Sequence, residues 1–186
     1  VRFRHRAKQG RPTATVEIRA VGDGGEVPWD GESFGELEVR GASVAAAYLG
    51  SEGTDRFSDD GWFRTGDVVT IDPDGTIEIR DRAKDLIKSG GEWISSVALE
   101  NALMGHPAVL EAVVVAVPHP HWGERPLAAV VLRAGATATA EELRAHLEPD
   151  FARWWLPDEF AFVDAIPRTA TGKFRKTALR ERFRPA

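Results

Sequence analysis

The stretch Gly61-Trp62-Phe63-Arg64-Thr65-Gly66-Asp67, followed after a strand, a turn and a strand by Asp81-Arg82-Ala83-Lys84-Asp85-Leu86-Ile87-Lys88-Ser89-Gly90-Gly91-Glu92-Trp93, decides how this chain is read. Charged side chains alternate there with glycines in a way that no ordinary core requires. Glycine serves tight turns and backbone that must lie close to a ligand. Lysine and arginine beside such glycines suit an anion. A second glycine–lysine loop, Thr169 to Lys173, lies far downstream. Together the two point to a nucleotide and to a chain that changes shape around it.

Outward from that stretch, the first third reads as β structure. Thr13 to Val21 alternates, Gly22 to Gly25 is a turn, and Gly35 to Gly41 is a second short strand. Ala42 to Tyr48 is predicted as a short helix ending near Gly50. Residues 68–80 form a hairpin around Asp72-Pro73-Asp74-Gly75, whose residue types suit a type I turn. After Arg82 the texture changes. Leu86–Lys88 and Trp93–Ile94 flank Gly90 and Gly91 as another hairpin, and Ser95 or Ser96 can cap a helix carrying Val97, Leu99 and Leu103. The nearly continuous apolar run Val109–Val117 predicts a central strand, and Leu127–Leu132 a further one. Helices are predicted over Thr139–Glu148, Pro149–Trp155 and Phe174–Phe183, with a strand at Phe160–Val163. The fold class is α+β: a β-rich segment, then a small mixed domain. The segment before about residue 82 has too little helix to complete a core and reads as the end of something larger.

Composition narrows the function classes. The chain has 186 residues, 42% hydrophobic and 28% charged, as in globular proteins. Its longest apolar run is too short to span a bilayer, and Val1–Arg6 has no apolar segment behind it to make a secretory signal. With no cysteine there is no disulfide, thiolate metal site or cysteine nucleophile, which fits a cytoplasmic protein. A net charge of −5 argues against nucleic acid as a partner. Residues 168–186 are nevertheless basic, with Glu181 as their single acid. That is either a solvated helix or a local field for a polyphosphate.

Taken singly, each candidate residue has an ordinary explanation. Pro167 to Lys173 is not a phosphate-cradling P-loop, because proline stands at 167 and phenylalanine at 174. A solvated turn lysine accounts for Lys173. So does a role in neutralising charge that develops between a carboxylate and a phosphate. Asp67 can accept two ribose hydroxyls or cap a turn. Arg82, Lys84 and Lys88 fit a charged linker, and Gly90-Gly91 a plain hairpin turn. His119 and His121 lack a third ligand and read as loop residues, so no metal site is expected. Trp122, Trp154 and Trp155 read as core or interface.

In order, however, four segments resemble one family, the adenylate-forming (AMP-binding) acyl-CoA synthetases. Gly35–Gly41 is similar to its Gly-Glu-Leu strand, Asp60–Asp67 to its ribose-binding motif, Asp81–Gly91 to its hinge motif, and Pro167–Lys173 to its catalytic-lysine loop. The wording around Lys88–Ser96 and Trp154–Asp158 is most like the medium- and long-chain fatty acid–CoA ligases. The resemblance implies activation of a carboxylic acid by ATP and Mg2+ to an acyl-adenylate, then thioester formation with coenzyme A. It implies that Asp67 and Arg82 bind the ribose, with Lys88 and Trp93 also at the adenylate. It makes Lys84 the hinge, Gly90 and Gly91 the path of the pantetheine arm, and Lys173 the bridge between carboxylate and α-phosphate. The implied domains are 1–82, the end of the large AMP-binding domain; 83–85, the hinge; and 86–186, the lid. The phosphate loop, the magnesium-holding motif and the acyl pocket of the family are absent from this chain. It therefore resembles the C-terminal part alone, unable to adenylate by itself, in a cytoplasmic or membrane-peripheral enzyme. Two other readings are a stand-alone module binding CoA or a partner, and an adenylation domain loading a carrier protein.

Overall fold

Strand alternation in the first third becomes an antiparallel sheet in the computed structural model, which describes residues 8–49 and 53–184. Val1–Arg6 and Gly50 lie outside the described residues. Val16–Gly22 (β1) pairs with Gly25–Glu26 (β2) and Gly35–Gly41 (β3); Phe63–Ile71 (β4) and Ile77–Arg82 (β5) complete the order β2-β1-β3-β4-β5. One face buries Ile18, Ala20, Leu37, Val69 and Ile71. The other is charged. Glu17 and Arg40 are paired across β1 and β3, as are Arg19 and Glu38, and the guanidinium groups of Arg19 and Arg40 lie 4.4 and 4.5 Å from the Trp62 ring centre. The β4–β5 turn forms where the sequence places it, with the Gly75 N–H bonded to the Asp72 carbonyl at 2.8 Å and Gly75 at φ +82°.

The helix expected over Ala42–Tyr48 is not there. Those residues are turns and bends, and Val44 N–H bonds only back to the Gly41 carbonyl. Most of the run is exposed, so no buried apolar face offsets the cost of nucleating so short a helix.

From Asp85 the chain forms a second compact unit, the first ending at Lys84. Ile87–Ser89 (β6) and Glu92–Ile94 (β7) make a hairpin; Ser96–Met104 (α1) follows, capped by the Ser95 hydroxyl accepting from Ala98 N–H. Val109–His119 (β8) and Gly123–Leu132 (β9) form a long antiparallel pair. Ala140–Leu147 (α2) begins in a capping box between Thr139 and Glu142. Glu159–Phe162 (β10) lies parallel to β9, and Lys176–Arg182 (α3) ends the fold. The fold class is α+β, with the α-helices of the described residues all in the second unit.

Three elements of this unit differ from what the sequence predicts. The apolar strand β8 is not central in the sheet: among the described residues it pairs only with β9, which also pairs with β10 and β6. Val109, Val113, Val114 and Val115 are buried because both faces are covered. Val114 and Ala112 pack with Leu99, Leu103, Leu143 and Leu147 of α1 and α2, while Val113 and Val115 pack with Ile166 and with Leu179 of α3. The helix expected over Pro149–Trp155 is a single 3-10 turn at Arg153–Trp155, cut off by extended backbone at Ala152 (ψ 145°). The terminal helix starts at Lys176 rather than Phe174. Phe174 is held extended by a bridge to Arg168, and Arg175 N–H bonds to the Pro167 carbonyl at 2.8 Å.

A bulge between Val109 and Glu111 inserts Leu110 into β8. It lets Val109 share a face with Ala112 and Val114 while Glu111 keeps the face of Val113, toward Ile166 and α3. Among the described residues no helix is long and apolar enough to cross a membrane.

Candidate active site

Asp67 is presented by a distortion of β4. Glu36 pairs with Val68 and Glu38 with Arg64, so Thr65, Gly66 and Asp67 stand opposite Leu37 alone. The Thr65 hydroxyl donates to the Leu37 carbonyl at 2.9 Å and accepts from Asp67 N–H at 3.1 Å. Gly66 takes φ +76°, a value that disfavours any Cβ. On its other edge Asp67 pairs with Arg82, whose Nη1 reaches Oδ1 at 3.0 Å. A carboxylate is thus braced from both sides and remains 21% exposed. Lys84 is the last residue of this unit, just beyond the Ala83 N–H bond to the Gly66 carbonyl.

In the second unit Lys88 and Trp93 face each other across the β6–β7 hairpin, with the Lys88 ammonium 4.9 Å from the indole centre. Gly90 (φ +59°) and Gly91 (φ +88°) form its two-residue loop, which demands positive φ at both positions. The two glycines are not equivalent. A Cβ at Gly90 would lie 2.8 Å from the Trp122 ring, while one at Gly91 would meet nothing within 4 Å. The Gly90 N–H also bonds to the Trp122 carbonyl at 2.9 Å.

Beside this turn lies a cleft of about 600 Å³ lined by Ser89, Gly90, Glu92, Trp122, Arg125, Arg153, Trp154 and Asp158. Trp122 and Trp154, expected in a core or interface, are 47% and 57% exposed. Trp155 alone of the three packs against a core cluster. Arg125 is buried and organises the cleft. It donates twice to Asp158 (2.8 and 2.7 Å), and to the Ser89 hydroxyl and the carbonyls of Trp154 and Leu156. These bonds hold the Asp158 carboxyl below its usual range. No sequence signal marked Arg125, because its partners lie about 30 residues away on either side. The His119 ring nitrogen accepts from the N–H groups of His121 and Trp122, shaping the loop that carries this indole.

Lys173 closes a separate loop. Thr169 N–H bonds to the Lys173 carbonyl (2.8 Å), Gly172 N–H to the Thr169 carbonyl (2.9 Å), and Lys173 N–H to the Thr169 hydroxyl (3.2 Å). The Lys173 side chain is exposed, and its ammonium has no partner among the described residues. The basic tail beyond it is partly internal. Lys176 bonds Glu100 and the Ser96 hydroxyl, both at 2.7 Å, and Arg180 bonds Asp85 at 2.7 Å.

The two parts of this unit lie far apart. The lysine loop docks at Glu111, near the start of β8, and Trp122 and the glycine turn sit by its end, where His119 pairs with Gly123. Glu111 and His119 are eight residue steps apart along the strand, about 26 Å at ~3.3 Å per step.

Residues 98–173 match the family model of the AMP-binding enzyme C-terminal domain. The chain is 54% identical over 183 residues to a long-chain-fatty-acid–CoA ligase of Thermus thermophilus, covering 96% of this chain and 34% of that protein. It is 48% identical over 182 residues to a 3-methylmercaptopropionyl-CoA ligase of Ruegeria lacuscaerulensis, covering 97% and 34%. The solved o-succinylbenzoate-CoA synthetase of Bacillus subtilis, in complex with its acyl-adenylate intermediate, superposes with a TM-score of 0.82 at 32% identity, over 96% of this chain and 36% of that one. The chain thus spans about a third of the length of the curated relatives it matches. A braced Thr-Gly-Asp carboxylate, a double-glycine turn and a lysine loop on the far side of the same domain accompany these likenesses: the chain belongs to the adenylate-forming, AMP-binding acyl-CoA synthetase family and carries that family's C-terminal domain.

Proposed function

We propose that this chain works as the C-terminal part of an enzyme that joins a carboxylic acid, of the fatty acid class, to coenzyme A through an acyl-adenylate. The observation that carries the reading is the separation of Lys173 from Gly90-Gly91 along β8. Adenylation brings together two anions, carboxylate and α-phosphate, with pyrophosphate leaving. Thioester formation brings a thiol to the acyl carbonyl, with AMP leaving. The first needs a cation at the reacting centre, the second an open path. One rigid domain that carries a free ammonium at one end of a strand and a side-chain-free turn at the other can offer each in turn, never both at once.

In this reading residues 1–82 end the large AMP-binding domain, 83–85 are the hinge and 86–186 the lid, and Lys84 absorbs the backbone rotation between them. Asp67, steadied by Arg82, receives the ribose hydroxyls. Lys88 and Trp93 lie against the adenylate. Lys173 stabilises the charge that develops on carboxylate and phosphate. Gly90 and Gly91 border the thiol's route, and the exposed indoles of Trp122 and Trp154 with Arg153 suit the nucleotide end of coenzyme A. The described residues contain no group of three or more histidine, cysteine or acidic side chains able to hold a metal. Magnesium is commonly held by one or two carboxylates together with substrate phosphates, and in this reading ATP and magnesium belong to the whole enzyme. A cytoplasmic enzyme is part of the same reading.

The test uses the full-length protein. Lys173→Ala should lower acid-dependent ATP–pyrophosphate exchange by about 10²- to 10³-fold, and thioester formation from preformed acyl-adenylate should stay near normal. Undiminished exchange would overturn the assignment.

A further inference from the structure

The lysine loop closes on itself through backbone bonds, but those bonds do not aim it. The side chain that ties it to the rest of the domain is Arg168. Its Nη1 donates to the Gly172 carbonyl at 2.6 Å, one residue before Lys173. Its Nη2 donates to Glu111 Oε1 at 2.5 Å. Its guanidinium carbon lies 4.3 Å from the centre of the Phe174 ring, one residue after Lys173. A single planar cation therefore touches both neighbours of Lys173 and fastens them to β8. Glu111 is available for this because the bulge at Leu110 leaves it on the face of Val113, the face on which Phe174 packs.

We infer that Arg168 and Glu111 form a clamp that sets the direction of Lys173, and that Arg168 is a positioning residue for the adenylation half-reaction. The inference rests on the reading of Lys173 given above. A purely structural role is the competing account, and exposure separates the two. The Arg168 and Glu111 side chains are 43% and 29% exposed, and an ion pair so open to water adds little to stability. A guanidinium fork matters here for geometry: it serves two acceptors in fixed directions while its plane covers a ring. A lysine ammonium could hold one acceptor but not all three contacts.

The experiment measures both half-reactions of the full-length protein in Arg168→Met, Arg168→Lys, Glu111→Gln, Lys173→Ala and the Arg168→Met/Lys173→Ala double variant, with melting temperatures. Loss of a charge-assisted bond that orients the reacting group should cut pyrophosphate exchange by about 10- to 100-fold in Arg168→Met. Arg168→Lys and Glu111→Gln should fall between it and wild type, and thioester formation from preformed acyl-adenylate should hold within about twofold in all of them. In the Lys173→Ala background Arg168→Met should add nothing, since there is no ammonium left to aim. Exchange close to wild type in Arg168→Met, equal loss in both half-reactions, or additive losses in the double variant would each overturn the clamp. If Arg168→Met lowers the melting temperature, Glu111→Gln and Arg168→Lys decide by the same criteria. Full exchange in Lys173→Ala would instead remove the reading of Lys173, and the clamp with it.

Discussion

Alanine at Gly90 and at Gly91 should separate two effects that glycine usually hides. Both positions have positive φ, +59° and +88°, so a Cβ is unfavourable at each. At +59° the backbone is close to the left-handed helical value, where an alanine costs about 1–2 kcal/mol. At +88° the cost is no smaller. The stability losses should therefore be similar, about 1–2 kcal/mol each by urea denaturation of the full-length protein. The neighbours differ. The Gly90 Cβ would lie 2.8 Å from the Trp122 ring, where ordinary carbon contacts need about 3.5–4.0 Å. The half-exposed indole must then retreat by about 1 Å, tilting one wall of the cleft, because the ring can yield more cheaply than the Gly90–Trp122 backbone bond. Thioester formation at varied coenzyme A should show KM raised about tenfold in Gly90→Ala and within about twofold of wild type in Gly91→Ala. An equal or larger effect at Gly91 would refute the argument from Trp122. It would favour instead a path obstructed by any side chain at either glycine.

Two further outcomes follow from the ion pairs. Lys176→Met takes the ammonium away from the Glu100 carboxylate, which is 11% exposed and also bonded to Val114 N–H at 2.8 Å. It should destabilise the protein by about 2–4 kcal/mol, with part restored by adding Glu100→Gln, both read by chemical denaturation. Asp158 has its folded pKa lowered, first by its hydrogen bond with Arg125. Its contribution to stability is then complete above the ordinary carboxylate value of about 3.9 and is lost as pH falls through the lower folded value. Melting temperature recorded from neutral to strongly acidic pH should fall less steeply in Asp158→Asn than in wild type over that acid window. Parallel curves would remove the Arg125–Asp158 pair from the acid response.

Much of the fold was legible because its signals are local. The residues Asp72–Gly75 specify their turn, Gly90 and Gly91 their two-residue loop, and Ser95 and Thr139 their helix caps. Legibility failed where long-range packing decides. The alanines of 42–48 have adequate propensity but no surface to bury. Strand β8 carries a central strand's composition because helices cover both its faces, although among the described residues it is paired on one edge only. Trp154 and Trp155 are identical neighbours, yet the 3-10 turn leaves one 57% exposed and packs the other against the core. For the site, Asp67, Arg82 and the glycines stand out by type and spacing. Arg125 and Arg168 do not, since each works through partners distant in sequence.

The division after Lys84 is crossed by the backbone once, and every sheet pairing among the described residues stays within one unit or the other. The bond from Arg180 to Asp85 likewise remains on the C-terminal side. Such a chain is modular at the level of the gene. Recombination between codons 84 and 85 would exchange a whole domain between relatives without dividing a strand ladder, an ion pair of α3 or the lysine loop from its clamp. If residues 86–186 act as the lid proposed above, such units would be free to diverge, or to be traded, independently of the chain that precedes them.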